Sequence, residues 1–562
     1  MRAPALRCVE FLRRDRPRLL LIGILLLLLG IAAALLPAGA VWITDNGNKA
    51  IICRNFAETG DLAIHHPLPE FFPCGGFHFL RLAGGEIRSF YLEFMPILSV
   101  PFYRIFGERG MLFWPFSGTL AIVWCLAGML RNHKRLLLAF CTATPLIFFS
   151  LLFWETDPAT ALSLIAFTML LRGNFAAAGL LLGAGLIFRE ELYFVAGVFG
   201  IVLLCRREIR PLLRFSAGFL AAMLPIWLWQ YREFGHVLGL HGALYRLNNR
   251  PQPGDWEAGE ICGIFWNYYH HLFQFDTSDS PFHDLLLLPF GAAIAAGAAP
   301  RFRSWLRVKQ GIAVAACVSW AILIPLLWRR TMFAYTAAMT AGVFTATPFL
   351  LGFLLNWRPL LTRTPRMVKV PTLASILYLL IVPPLLTRHD LGLIWGARHF
   401  MPILPFLVIP SWIGWRALGW HRRLFWLPIV AGAAIQCYGL YALWHVADES
   451  DSLSRLLETA APKTVVTDVF FLPEQTPRIF FEKQVLEVTN DNAEKLLRTL
   501  RARGEKEFLL VLSPGFRRIT NPTLAKIISA APPIADPVVF RREPEPHSGF
   551  MELYIAHCRF VP

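Results

Sequence analysis

Ionisable side chains stand at the ends of long apolar runs in this sequence, where they could bind a substrate or move a proton. Asp45 follows the first such run within VWITDNGNKAIICRNF, and Glu155 and Asp157 lie in FWETDPAT. Arg189 leads the triplet REE, which joins two further apolar runs with almost no loop between them. Because ionisable residues in membrane proteins mark functional sites when they face a cavity, these positions are the first candidates for a site.

The same residues also have structural interpretations. Asp45 can cap a helix end, and Glu155 and Asp157 can be solvated carboxylates of a turn before a proline. Arg189 can pair with Glu190 in a turn at the membrane interface. Residue type and spacing alone leave both interpretations open, so the surrounding sequence has to favour one of them.

Apolar residues dominate the composition. The chain has 562 residues, of which 56% are hydrophobic and only 16% are charged, whereas soluble domains carry about 25% charged residues. The net charge of +16 comes largely from Lys and Arg clusters between apolar runs, the pattern that sets the orientation of membrane proteins. The sequence includes no basic stripe interleaved with aromatic residues, so we expect no nucleic-acid partner. The sequence predicts a polytopic membrane protein.

The Lys and Arg residues also predict the topology. Thirteen apolar segments can cross a membrane or nearly so, starting with residues 19–42 after a basic amino terminus. With that terminus in the cytoplasm, the predicted cytoplasmic segments hold 25 Lys and Arg residues, and the short outward loops hold five. This path puts Asp45, FWETDPAT and REE on the outer face, together with TRHD and GARHF. Arg398 and His399 of GARHF can alternatively be interface anchors.

The predicted organisation has two domains. A transmembrane domain covers residues 1–444, with long outer loops at 43–109 and 232–284, and a periplasmic α/β domain covers residues 445–562. In the latter, KTVVTDVFFL, EFLLVLS, PVVF and MELYIAHC are predicted strands, and DNAEKLLRTLRARG is a predicted helix. In the first outer loop, NKAIICRNFAETG is predicted to form an interfacial helix. Cys53 and Cys74 of this loop can form a disulfide or remain thiols.

Five stretches combine the polar positions with Gly, Pro and aromatic residues in a fixed order. They are ITDNGNKAIICRNFAETG, SFYLEFMPILSVPFYRIFG, LLFWETDPATALSLIAF, AAAGLLLGAGLIFREELYF and WGARHFMPILPFLVI. In this order, over residues 19–444, they resemble successive segments of the GT-C superfamily of polyprenyl-phosphate-sugar glycosyltransferases. The aminoarabinose-to-lipid-A and protein O-mannosyl transferases are members. The resemblance implies a polytopic α-helical fold of about 13 transmembrane helices with a small carboxy-terminal α/β soluble domain.

The resemblance also implies a reaction and the residues that carry it. Family members pass a sugar from a polyprenyl-phosphate carrier to a hydroxyl or amine at the outer face of the membrane. By position, Asp45 is the implied catalytic base of an inverting displacement. Arg189 and Arg398 are the implied contacts to the carrier phosphate, because arginine suits phosphate. The further implied carrier-binding or sugar-binding residues are Glu190, His399, Arg388 and Arg232.

An acidic pair is implied to act beside the base. Glu155 and Asp157 would orient the acceptor, or would help to bind a divalent cation such as Mg²⁺ or Mn²⁺ through oxygen ligands. Asp45 and Asp157 are the metal ligands if there is a metal. Many family members place two acids together in the first loop, whereas Asn46 follows Asp45 here, and metal dependence is left open.

Three functional classes remain to be compared. A flippase or transporter of lipid-linked sugars would place charges near the bilayer midplane, whereas here the charges map to one face. A non-catalytic envelope assembly protein would carry its function in the carboxy-terminal domain. The favoured expectation is a glycosyltransferase of the bacterial inner membrane, with a cytoplasmic amino terminus and a periplasmic carboxy-terminal domain. Its expected partners are membrane lipids, a lipid-linked hexose or pentose donor, and a lipid, glycan or protein acceptor.

Overall fold

The computed structural model describes most of the chain in detail. The described residues are 2–37, 41–73, 79–81, 85–89, 91, 94–130, 134–239, 261–273, 281–299, 305–334, 342–385, 398–419, 426–513, 538–540 and 551–560. Two predicted residues, Arg388 and Cys74, lie outside these ranges. The chain divides into two compact units. The first unit contains Met1–Leu35 and Trp114–Tyr441, and the second contains Leu36–Phe113 and Ala442–Pro562.

The described chain is predominantly helical, as the sequence predicts. Among the described residues, six helices are long and apolar enough to cross a membrane. They are Phe94–Met129, Ile209–Phe234, Leu306–Leu326, Arg366–Leu385, Arg398–Ala417 and Trp426–Thr459. Shorter apolar helices cover Leu19–Leu35, Thr156–Leu171, Phe175–Gly185, Leu192–Cys205 and Leu285–Gly297. The coarse prediction of a helical membrane protein is confirmed, and the number of thirteen crossings stays a prediction.

The first unit is built from helices and short 3₁₀ turns. Its α-helices include Arg2–Leu35, Phe113–Met129, Lys134–Thr142, Leu146–Ser150, Thr156–Leu171, Phe175–Gly185, Leu192–Cys205, Ile209–Phe234, Ile261–Phe273, Pro281–Gly297, Leu306–Ala334, Val343–Ala346, Leu351–Leu354, Trp357–Arg363, Arg366–Ile381, Leu404–Ala417 and Trp426–Thr459, which continues beyond Tyr441. Its 3₁₀ turns include Pro348–Leu350, Pro383–Leu385 and Arg398–Ile403. Three of these segments, which begin or end near residues 155, 189 and 398, carry the site described below.

Glycines bring two helices of the first unit into close contact. Phe175–Gly185, which we call the glycine helix, packs on Ile209–Phe234. A Cβ on Gly179 would lie 2.0 Å from the carbonyl oxygen of Phe215, and one on Gly183 would lie 2.5 Å from that of Phe219. Small residues let helix backbones approach closely in membranes. This contact fixes the end of the glycine helix, from which the chain turns into Arg189.

The second unit contains a five-stranded mixed sheet. Its strand order is Gln484–Glu487, Thr464–Thr467, Glu507–Leu512, Met551–Arg559 and Val538–Phe540. The first three strands are parallel to one another, and the last two are antiparallel to their neighbours. A helix, Ala493–Ala502, buries Leu496 and Leu500 against the sheet, and Gly504 follows it in the left-handed region. The predicted helix and its Gly stop are confirmed.

One predicted strand is shorter than expected. KTVVTDVFFL is a strand only from Thr464 to Thr467. The chain then turns. The Thr467 hydroxyl accepts a hydrogen bond from the backbone N–H of Val469 at 3.0 Å, and Asp468 Oδ1 accepts one from the backbone N–H of Ser513. A four-residue helix, Leu472–Gln475, follows. A local hydrogen bond of Thr467 and a long-range one of Asp468 thus end the strand where the apolar pattern reads as continuous.

The first outer segment folds with the carboxy-terminal segment in this second unit. Thr44–Thr59, which we call the first-loop helix, contacts both Phe94–Phe106 and Leu472–Gln475. A Cβ on Gly47 would lie 1.6 Å from the carbonyl oxygen of Glu474, so only glycine allows this approach. The prediction of an interfacial helix is wrong: the helix forms, but most of its residues are buried on both sides by protein. The unit also contains the helical turns Pro69–Phe71 and Gly107–Leu112 and the hairpin Phe79–Arg81 with Ile87–Ser89.

We expect Gly179→Ala to destabilise the first unit, because the added methyl group meets a backbone oxygen that has no side-chain freedom. Overpacking of this kind costs about 1–3 kcal/mol, and the melting temperature of the protein in detergent should fall by several degrees. Gly197→Ala is the control, since nothing lies within 4 Å of a Cβ there and the residue is also helical. A control variant as unstable as Gly179→Ala would contradict the close-packing argument.

Candidate functional site

Five side chains of the first unit form what we call the arginine cluster: Glu155, Arg189, Glu191, Arg398 and His399. Arg189 is only 7% exposed and donates from Nε to Glu191 Oε2 at 2.9 Å, with a second bond from Nη2 to Oε1. Its Nη1 lies 3.5 Å from Glu155 Oε1. The guanidinium therefore makes a bidentate pair with one carboxylate and a longer contact with another, an arrangement that suits a buried arginine.

A 3₁₀ turn supplies the other half of the arginine cluster. His399 donates from Nδ1 to Glu191 Oε1 at 2.6 Å, and its Nε2 accepts from Arg398 Nε at 3.2 Å. The Arg398 guanidinium also lies 5.3 Å from the ring centroid of Trp154, which is a cation–π distance. Arg398 and His399 begin the turn Arg398–Ile403. The cluster is thus a relay of alternating partners, from Arg189 through Glu191 and His399 to Arg398.

Electrostatics keep the central carboxylate ionised. Burial raises the pKa of Glu191, but Arg189 and then His399 outweigh it, so the pKa lies well below its usual range. Burial lowers the pKa of Arg189, whereas Glu191 and Glu155 raise it, and the net effect is a raised pKa. Both groups are therefore charged at neutral pH.

The two predicted acids of FWETDPAT point to different partners. Glu155 contacts Arg189, whereas Asp157 is fully buried and accepts a hydrogen bond from the Thr119 hydroxyl. A Cβ on Gly118 would lie 2.5 Å from the backbone carbonyl carbon of Asp157, so the two backbones are in close contact. The structure does not bring these two carboxylates together.

The described residues do not fit a divalent cation. Within them, no group of three or more His, Cys, Asp or Glu side chains could hold a metal ion. One oxygen of Asp157 is taken by Thr119, and Asp45 accepts a hydrogen bond from Tyr91. Divalent hard cations require several oxygen ligands around one point, so no step proposed below uses a metal.

Asp45 lies in the second unit, in the first turn of the first-loop helix. It is 8% exposed, and its Oδ1 accepts a hydrogen bond from the Tyr91 hydroxyl. The ammonium group of Lys49, which is buried one turn further along the helix, lies 5.2 Å from the centroid of the Tyr91 ring. Ser89 donates to Asn48 at 2.6 Å and accepts the N–H of Tyr91 at 3.1 Å, which fixes the segment that carries the tyrosine.

Asn46 serves the start of the first-loop helix. Its side-chain oxygen accepts the backbone N–H of Ile43 at 3.3 Å, and its own N–H donates to the Ile43 carbonyl at 3.0 Å. This reciprocal bonding caps the helix. Asn46, at the position where a second acid would adjoin Asp45, therefore has a structural role in capping the helix.

The remaining predicted residues lie apart from these contacts. Glu190 is half-buried beside Arg189, whose bonds go to Glu191 and Glu155 instead. Arg232 is exposed in the last turn of Ile209–Phe234. Cys53 is a buried free thiol, and burial raises its pKa to about 12. Arg388 lies outside the described residues.

Sequence reasoning missed several contact residues. Glu191 belongs to the arginine cluster, and Trp154 and Thr156 contact it, with Thr156 accepting from Arg189 Nη1 at 3.2 Å. All three stand beside predicted residues in REE and FWETDPAT, so neighbourhood was the available signal. Tyr91 carries no such signal, because its partner Asp45 is 46 residues away in sequence.

No protein-family model and no curated protein matches this chain. Two solved structures do: ArnT from Cupriavidus metallidurans bound to undecaprenyl phosphate, and the same ArnT in the apo state. The first is 14% identical, with 96% of this chain and 97% of that chain covered, at a TM-score of 0.40. The second is 13% identical, with 97% and 98% covered, also at 0.40.

We expect Glu191→Gln to destabilise the first unit, because it leaves the buried Arg189 without its bidentate counter-ion. Breaking a buried ion pair costs about 3–5 kcal/mol. Glu190→Gln is the matched control, an adjacent and chemically identical change that leaves the Arg189 pair intact. Thermal unfolding of both variants in detergent measures the difference, and equal losses would contradict the assignment of the pair.

The loss from Glu191→Gln should depend on pH. The folded-state pKa of Glu191 is lowered, so its contribution is complete above the unfolded-state pKa of about 4.3. It declines as the pH falls from that value towards the folded-state pKa. The gap in melting temperature between wild type and variant should therefore narrow in buffers more acidic than about pH 5.

Proposed function

We propose that the protein is a membrane glycosyltransferase that moves a sugar from a polyprenyl-phosphate carrier to an acceptor. The reaction takes place at the outer face of the bacterial inner membrane, on the side to which the charge pattern assigns the site. The observation that carries the proposal is the arginine cluster, a half-buried Arg398 held by a carboxylate–histidine relay at the start of an apolar helix. A fixed cation at such a helix end suits the phosphate group of a lipid whose chain lies in the bilayer.

The two arginines have different roles in this proposal. Arg189 is nearly inaccessible, and its N–H groups donate hydrogen bonds to Glu191, Glu155 and Thr156. It supplies positive charge and holds the relay in place. Arg398 is half-buried, and its guanidinium is held on one side by Trp154 and by His399 at Nε. We assign to Arg398 the contact with the carrier phosphate, which gains negative charge as the sugar leaves.

Asp45 is the proposed base. The acceptor hydroxyl or amine attacks the anomeric carbon, and its proton passes to the Asp45 carboxylate. As the new bond to the anomeric carbon forms, the bond from that carbon to the phosphate oxygen breaks, and its electron pair leaves with the carrier phosphate. Attack opposite the leaving group inverts the anomeric centre. The Tyr91 hydroxyl donates to Asp45, which orients the carboxylate.

The donor sugar is a hexose or a pentose in this proposal, and the acceptor is a lipid, a glycan or a protein. The segment 445–562, which contains the five-stranded sheet, is the proposed periplasmic domain, and Asp45 lies in the proposed first outer loop, 43–109. The amino terminus is proposed to be cytoplasmic, as the positive-inside count predicts.

Asp45→Asn should reduce sugar transfer by about 10²–10⁴-fold, the usual contribution of a general base, because the amide cannot take the acceptor proton. The measurement is release and transfer of labelled sugar from a polyprenyl-phosphate donor in proteoliposomes that contain a bacterial envelope lipid extract. Asp61→Asn is the control: Asp61 is in the same segment, its side chain is 44% exposed, and an amide oxygen can still accept the N–H of Ala63. Transfer by Asp45→Asn at the wild-type rate, or lipid flipping without any transfer by the wild type, would reject the proposal.

Arg398→Ala should raise the KM for the lipid-linked donor by about 10–100-fold, the range expected for a lost charge-assisted hydrogen bond. The KM for the acceptor should change far less, since Arg398 is assigned to the carrier alone. Arg416→Ala is the control, because Arg416 is an exposed arginine at the other end of the same apolar helix. Equal increases in both KM values would indicate that Arg398 supports the fold rather than the carrier.

A further inference from the structure

His399 stands between the two charged partners of the relay and offers each a different ring atom. Nδ1 faces Glu191 Oε1 at 2.6 Å, and Nε2 faces Arg398 Nε at 3.2 Å. A carboxylate can only accept, and a guanidinium can only donate. The ring must therefore carry its proton on Nδ1 and present the lone pair of Nε2 to Arg398. Only the neutral form of His399, in this one tautomer, satisfies both contacts.

From this geometry we propose that His399 is a positioning residue for Arg398, and that a proton taken up from solvent at Nε2 of His399 releases Arg398 from the carrier phosphate. The proposal rests on the proposed function, because the phosphate contact is assigned there. It differs from direct phosphate binding by His399, which the family resemblance implies.

Protonation changes the contact with Arg398 in a simple way. Once Nε2 carries a proton, two N–H donors and two positive charges face each other at 3.2 Å. Such a pair repels, whereas the contact with Glu191 stays favourable and becomes stronger. His399 therefore keeps its place, and Arg398 has to move. The repulsion energy between two like charges is larger in low-dielectric surroundings than in water.

Two further contacts lie around His399. The ring of His271 lies edge-to-face with it at a centroid distance of 6.2 Å, and the Tyr378 hydroxyl donates to the His399 carbonyl at 2.7 Å. Among the described contacts, the charged or titratable groups that face the ring are Glu191, Arg398 and His271, with Arg189 and Glu155 behind Glu191. Within these described contacts, Arg398 meets the ring at its proton-accepting nitrogen.

The location of the pair makes a proton-sensitive contact useful. The His399 side chain is 13% exposed rather than fully enclosed, and histidine ordinarily titrates at about pH 6.5. An enzyme at the outer face of a bacterial inner membrane meets external pH more directly than a cytoplasmic one. A histidine that controls the phosphate-binding arginine would couple carrier affinity to that pH.

A glutamine at position 399 provides the sharpest test. Its neutral amide offers one donor and one acceptor, as the neutral ring does, but it does not titrate. The probe is a polyprenyl monophosphate in nanodiscs, and its dissociation constant is measured between about pH 5.5 and pH 8 for wild type, His399→Gln, His399→Ala and the control His271→Gln. Wild type and His271→Gln should bind at least about tenfold more weakly at the acidic end. His399→Gln should bind as tightly as wild type does at alkaline pH and should keep only the pH dependence that comes from the probe's own phosphate, whose second pKa is about 6, and His399→Ala should bind weakly throughout.

The possible outcomes separate the two proposals. Tighter binding by the wild type at acidic pH, lost in His399→Gln, would show that His399 binds the phosphate directly and would overturn the positioning role. An unchanged pH dependence in His399→Gln would also overturn it, while the carrier-binding function stands. If the wild type binds no polyprenyl monophosphate at any pH, the proposed function fails and the role of His399 fails with it. Melting temperatures of the variants in the same nanodiscs show whether His399→Gln is folded.

Discussion

The buried ion pair between Arg189 and Glu191 is the interaction on which the first unit's site depends. Removing a guanidinium from water is costly, and the cost is offset only when its donors meet well-placed acceptors. Glu191, Glu155 and Thr156 supply these acceptors from two different segments of the chain. Glu191 then reaches the turn that starts at Arg398 through His399. Three segments that lie far apart in sequence are thereby held together around one charge.

The second unit depends on a different constraint, the contact between the backbones at Gly47 and Glu474. The approach is so close that any side chain at position 47 would overlap the carbonyl oxygen of Glu474. This contact joins the first turn of the first-loop helix, which contains Asp45, to the segment that follows the strand Thr464–Thr467. The orientation of the proposed base is thus set partly by residues more than 400 positions later in the chain. A truncated protein without the carboxy-terminal segment would lose this support.

The sequence predicts the parts of the structure that local patterns determine. The helical membrane character follows from composition, and the helix Ala493–Ala502 follows from its apolar spacing, its polar start and Gly504. The REE triplet correctly indicates a charged turn between apolar helices, but it does not indicate which glutamate binds Arg189. That choice depends on how the turn directs adjacent side chains, and on His399, which is 208 residues away. The burial of the first-loop helix is equally non-local, since its partner Leu472–Gln475 lies more than 400 residues later in the chain and begins at the end of a segment that reads as a strand.

The contrast between the two arginines shows why burial and position have to be considered together. Arg189 is the more buried cation, and its bonds to Glu191, Glu155 and Thr156 occupy it within the protein. A fully engaged guanidinium can hold a fold together, but it has little capacity left to bind an incoming phosphate. Arg398 is half-buried, lies against the face of Trp154, and is anchored through Nε to a neutral ring. An anchor of this kind restricts the side chain through a neutral partner, and a cation held in a fixed position is what anion recognition requires.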